Sequence, residues 1–216
     1  MNIPKIKICC ISSVFEADLA IQAGASAIGL VGHMPSGPGI ISDTLIATIA
    51  KHVPNTVETF LLTSETDAEK IIEHYVKVKT TTIQIVDKLT KGTHQQIKKA
   101  LPEVKLVQVL HVVNDESIKE AITVSKNVDA ILLDSGNPNL KIKELGGTGR
   151  THNWEISKKI VENVTVPVFL AGGLHAENVK DAIKFVKPYG VDLCSGVRTN
   201  GKLDKTKLTA FFEAIK

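Results

Sequence analysis

Residues 190–194 read GVDLC, and the stretch that follows at 204–215, DKTKLTAFFEAI, has helical spacing. This pair decides the fold, because the last strand carries a helix of its own. Seven earlier runs have the same apolar, β-branched character: 5–10 (KIKICC), 26–31 (SAIGLV), 57–62 (VETFLL), 82–86 (TIQIV), 105–110 (KLVQVL), 129–134 (DAILLD) and 166–171 (VPVFLA). Each is short and rich in Val, Ile or Leu, as strands covered on both faces are. Amphipathic patterns separate them at 14–23, 43–52, 67–78, 92–100, 115–125, 154–163 and 176–187. Ser42 and Asn153 suit helix N-caps, and Gly24 suits a helix stop. Eight strand–helix units in 216 residues predict an α/β chain folded as a compact (β/α)8 TIM barrel. An open doubly wound sheet usually has fewer strands. No linker or low-complexity tract divides the chain, so one domain over 1–216 is expected.

Composition narrows the partners. The net charge is only +3, and the lysines are spread along the chain, which argues against nucleic acid. No apolar stretch approaches the roughly 18 residues of a membrane span, and no signal-like segment opens the sequence, so no membrane partner is expected. Three cysteines, two of them adjacent, make no disulfide framework, and a reducing cytoplasm is the expected setting. Cys9, Cys10 and Cys194 lack metal-ligand spacing, so no metal is expected. The sequence leaves open whether the chain is a monomer or a homodimer.

Twenty-four lysines stand against two arginines, Arg150 and Arg198. A guanidinium offers a bidentate fork that lysine lacks, so both positions invite inspection. Two Gly-containing turns follow late strands: 171–174 (AGGL) and 194–198 (CSGVR). Glycines there let backbone N–H groups approach an anion, and the loops after strands seven and eight often bind phosphate in barrels. The plainer reading is that they are tight turns. A third stretch, 145–150 (LGGTGR), contains Gly147 and ends in Arg150. It matches neither the P-loop nor the dinucleotide fingerprint, so no cofactor is expected. It suits a lid over a ligand.

Side chains alternate along a strand. Lys5, Lys7 and Cys9 are therefore expected to face the barrel, and Ile6, Ile8 and Cys10 the helices. A lysine inside a barrel needs a partner. Asp192, on the neighbouring strand eight, is the candidate, with a ligand role for Lys7 equally open. Cys9 sits at the strand end, where a reacting side chain belongs, and Cys10 is expected to pack behind it. Asp134 ends the run AILLD, as a turn former or as an acid/base. Opposite Cys9 it resembles half of an acid/base couple.

Five segments together, KICC, AIGLV, LLD with GGTG and Trp154 after it, LAGGLHAENV and VDLCSGV, resemble the phosphoribosylanthranilate isomerase family, from about residue 5 to residue 212. The resemblance implies a (β/α)8 barrel. It also implies an Amadori rearrangement of a small phosphorylated sugar substrate, an N-phosphoribosyl aminoaldose, to the aminoketose. It maps the general base onto Cys9 and the general acid onto Asp134. Phosphate contacts map onto Gly172, Gly173, Ser195 and Gly196, and Gly147, Arg150 and Arg198 join them as candidate substrate contacts.

The sequence also departs from the family. Gly39 stands where the family carries an arginine at the anthranilate end, Val86 where it has histidine, and Cys10 where it has glycine. Arg150 or Arg198 replaces the missing fork or recognises a different ligand, for instance one with a second phosphate. His111 and His33 are candidate proton carriers, and Trp154 is expected to pack. A barrel enzyme for another phosphorylated sugar adduct, or a non-catalytic phosphometabolite-binding protein, remain the alternatives.

Overall fold

Each of the eight apolar runs forms a parallel strand in the computed structural model, which describes residues 4–136 and 149–216. The strands are β1 (Lys5–Ile8), β2 (Ala27–Val31), β3 (Glu58–Thr63), β4 (Thr82–Ile85), β5 (Lys105–His111), β6 (Ala130–Asp134), β7 (Val168–Leu170) and β8 (Gly190–Leu193). They close in sequence order into one barrel, β8 pairing with β1 so that Asp192 stands opposite Lys7. Among the described residues eight α-helices alternate with them: α1 (Val14–Ala23), α2 (Asp43–His52), α3 (Ala68–Val78), α4 (His94–Ala100), α5 (Glu116–Val124), α6 (Trp154–Asn163), α7 (Val179–Val186) and α8 (Lys205–Ala214). This is the (β/α)8 barrel expected from the sequence.

Local chemistry sets the boundaries. Ser42 Oγ accepts from Leu45 N–H at 3.3 Å, and Asn153 Oδ1 from Glu155 N–H at 2.9 Å, each opening a helix. Gly24 closes α1 at φ +112°, a left-handed cap that suits glycine. The helix expected from 92 starts at His94, because Thr93 is its cap and accepts from Gln96 N–H at 3.1 Å. The strand expected over 166–171 shrinks to Val168–Leu170, since Pro167 has no N–H to give a ladder.

Two apolar bodies result. Ile6, Ile8, Ile28, Leu61, Ile83 and Ile131 pack between strands and helices. Inside the barrel Ala27, Phe60, Val107, Leu132 and Phe169 form a second cluster. Phe60 and Phe169 meet edge to face with centroids 6.0 Å apart. A Cβ at Gly190 would lie 2.5 Å from the Phe169 ring, so that glycine makes room for it. The interior is therefore plugged from below and can open only at the carboxyl ends of the strands. After β8 the chain adds a hairpin that the sequence reading missed, β9 (Arg198–Thr199) and β10 (Lys202–Leu203). It turns through Asn200 and Gly201 at φ +50° and +78°.

Candidate active site

The floor of the site is a buried ion pair. Lys7, fully buried, donates from Nζ to Asp192 Oδ1 at 2.9 Å. Burial pulls the Lys7 pKa down, but attraction to Asp192, with a smaller contribution from Cys9, outweighs it and raises the pKa, so the ammonium stays charged. The ammonium also lies 5.2 Å from the Phe60 ring centroid. Cys9 follows on the same face, above Lys7. A Cβ at Gly29 would lie 2.8 Å from Cys9 Sγ and 3.0 Å from Lys7 Nζ. Only a glycine in β2 leaves room for both side chains.

Cys10 corrects the alternation argument. The strand ladder ends at Ile8, and Cys10 takes a left-handed backbone at φ +63°. That turn breaks the period of two, so Cys10 joins the interior cluster and lines the cavity instead of facing the helices. Its sulfur lies 2.9 Å from Cys194 Sγ and 3.8 Å from Cys9 Sγ.

Asp134 ends β6 at 8% exposure and lines the same cavity as Cys9. Among the described residues its hydrogen bonds run to Oδ1, from Ser135 N–H at 2.7 Å and Ser135 Oγ at 3.5 Å. Oδ2 is thus left for a proton or a ligand. Beside it stands a residue the sequence reading passed over, His152, paired through Nε2 with Ser157 Oγ at 2.7 Å. Burial drives the His152 pKa down to about 4, against the opposing pull of Asp134. The folded imidazole is neutral, whereas the unfolded one titrates near 6.5. Stability from this group is therefore intact above pH 6.5 and lost as pH falls toward about 4, by on the order of 3 kcal/mol. Urea midpoints at pH 7 and pH 4.5 should show a shallower acid loss in His152→Gln, and equal loss in both proteins would contradict the assignment.

Across the cavity the loops after β7 and β8 supply backbone. Gly172 and Gly173 adopt φ +82° and +61° and line the cavity with Ser195. Among the described residues their three N–H groups donate to no carbonyl or side chain. Gly196 lies behind them: its Cβ would come within 2.0 Å of Leu174 O, so it knits the two loops. Gly149 lines the cavity, and Arg150 is exposed with its main chain against Gly173. Gly147 lies outside the described residues.

Arg198 is placed differently from the expectation. It is 8% exposed and does not line the cavity. Nη1 donates to Glu16 Oε1 at 3.1 Å and Gly201 O at 3.0 Å, and Nη2 to Cys9 O at 3.1 Å and Cys10 O at 2.6 Å. The hairpin β9–β10 turns the side chain inward onto α1, away from any ligand at the mouth.

The remaining wall comprises Val31, Met34, Ser36, Gly37, Pro38 and Leu62, in a cavity of about 690 Å³ including its open mouth. Among the described lining residues the only charged side chains are Asp134 and Asp192. Gln84 also lines it, with Oε1 buried and unpartnered, an acceptor the sequence reading missed. Val86 packs in the interior cluster, and its carbonyl lies 3.2 Å from His111 Nε2. His111 and the exposed His33 do not line the cavity, and Trp154 packs against the outer core. Among the described residues no His/Cys/Asp/Glu cluster is arranged to hold a metal ion, and no helix is long and apolar enough to cross a membrane.

A thiol and a carboxyl in one cavity at the carboxyl end of the strands define a (β/α)8-barrel enzyme equipped for proton transfer. The family model for N-(5'phosphoribosyl)anthranilate (PRA) isomerase matches residues 6–214. N-(5'-phosphoribosyl)anthranilate isomerase 2 of Methanosarcina mazei is 36% identical, covering 98% of this chain and 94% of that one. The crystal structure of the isomerase from Thermotoga maritima superposes with a TM-score of 0.82 at 26% identity, covering 98% of both chains. A further isomerase structure, solved with reduced 1-(o-carboxyphenylamino)-1-deoxyribulose 5-phosphate, shares the fold with a TM-score of 0.79 at 24% identity, over 98% of both chains. The chain belongs to the phosphoribosylanthranilate isomerase family, the aldose–ketose isomerases of tryptophan biosynthesis.

Proposed function

We propose that this chain rearranges N-(5'-phosphoribosyl)anthranilate to the corresponding aminoketose, with Cys9 as general base and Asp134 as general acid. The single observation carrying the reading is that both side chains line one cavity whose far wall is the pair of loops at Gly172, Gly173 and Ser195. The phosphate sits against those backbone N–H groups, which are free to donate. Asp134 protonates the ribose ring oxygen through its open Oδ2, and the ring opens as the C–O bond breaks. The nitrogen lone pair forms a C=N bond in the same step. Cys9 then removes the C2 proton as thiolate, giving the enol that tautomerises to the ketone.

One observation favours a second reading. A carboxylate at the aromatic end meets no cationic side chain among the described lining residues, and Gly39 stands where the family carries arginine. A phosphoribosyl adduct without that carboxylate fits this wall as well. The test is turnover of phosphoribosylanthranilate by purified protein, read by chromatography, together with rescue of an isomerase-deficient tryptophan auxotroph. Conversion and rescue support the first reading. Failure of both, with conversion of a phosphoribosyl amine that lacks the carboxylate, moves the assignment to the second.

A further inference from the structure

We propose that Cys10 and Cys194 are a redox modification site, joining in a reversible disulfide that closes part of the cavity. The geometry selects this pair from three cysteines. The sulfurs of Cys10 and Cys194 are 2.9 Å apart, against 3.8 Å for Cys9 and Cys10. A disulfide needs roughly 2.0 Å, so the first pair closes with a shift of under about 1 Å. Neither sulfur is used by the acid–base chemistry, yet both line the cavity. The left-handed backbone of Cys10 aims its sulfur across the seam where β1 meets β8. Arg198 holds it there by binding the Cys10 carbonyl.

The two thiols are unequal. The hydrogen bond between Cys194 and Cys10 lowers the Cys194 pKa, burial opposes this, and Arg198 assists. The same contacts with Cys194 and Cys9, with burial, push the Cys10 thiol up. Cys194 is half-buried and Cys10 buried, so an oxidant entering the cavity meets Cys194 first. With a peroxide, the Cys194 thiolate attacks one oxygen, the O–O bond breaks, and hydroxide leaves a sulfenic acid. Cys10 then attacks that sulfur, the S–S bond forms, and the sulfenic oxygen leaves as water with the Cys10 proton. Two electrons pass from two thiols to one peroxide. A dithiol restores both by exchange. The bond pulls the Cys10 sulfur away from Cys9 and fixes the segment that carries Cys9.

The experiment is hydrogen peroxide treatment of the purified protein, then thiol titration, peptide mapping without reduction, and turnover. Of the three thiols in the chain, one should remain, with a peptide linking residues 10 and 194. Turnover should fall at least about tenfold and return with dithiothreitol. Cys194→Ser should give no crosslinked peptide. Three remaining thiols, a disulfide that includes Cys9, or crosslinking without loss of turnover would overturn the proposal. The thiol count and the map read the bond whatever the substrate, so failure of the proposed function is distinguishable.

Discussion

Cys9→Ala is expected to lower kcat by roughly 1,000-fold, while affinity for a phosphorylated ligand stays within about threefold. The phosphate end of the cavity is built from the loops after β7 and β8, which the substitution does not touch. The reacting end loses its only positioned base on the Lys7 face of β1. Asp134→Asn is expected to lose a comparable factor, because the amide keeps its contact with Ser135 N–H but carries no transferable proton. The double variant should be little worse than either single one, since the two groups act on one sequence of transfers. Single-turnover kinetics and ligand titration separate the two quantities. The informative competitor is Cys10, whose sulfur is 3.8 Å from that of Cys9. If Cys9→Ala keeps its rate and Cys10→Ala loses it, the base is Cys10.

The barrel was legible because every strand is a short apolar run and the eighth owns a helix. The Lys7–Asp192 pair was legible because strand one and strand eight must touch in a closed barrel, and alternation points both inward. Alternation failed at Cys10, where the ladder had ended and no single-residue signal marks φ +63°. Three-dimensional contact also gives Gly39 a reason that the sequence does not show. A Cβ at Gly39 would lie 2.5 Å from Cys10 Cβ and 2.9 Å from Cys10 Cα. Gly39 also sits at φ +80°, so a side chain there meets both the Cys10 main chain and a backbone conformation that favours glycine.

Arg198→Lys is expected to destabilise the protein by about 3 kcal/mol while leaving KM nearly unchanged. The guanidinium donates to Glu16, to the Cys9 and Cys10 carbonyls and to Gly201 O from fixed directions, and one ammonium cannot reach all of them. Glu16 also accepts from Ser12 N–H at 2.9 Å and Leu203 N–H at 2.8 Å, so the pair ties α1, the end of β1 and the hairpin into one network. Its partner lies 182 residues away, which is why sequence reasoning placed Arg198 at the ligand. A local hint existed: Ser13 and Glu16 stand in capping-box spacing, with Ser13 Oγ accepting from Glu16 N–H at 3.1 Å. A carboxylate at a helix start is favoured by the helix itself, and it is the burial of Glu16, at 6% exposure, that adds the need for a cationic partner. Thermal unfolding should drop by roughly 6–12 °C for a chain of this size. Glu16→Gln should lose stability in parallel, and the double variant less than the sum, as one network requires. The kcat should fall modestly, because the carbonyls that anchor Cys9 loosen. A variant that raises KM without lowering the melting temperature would return Arg198 to the ligand site.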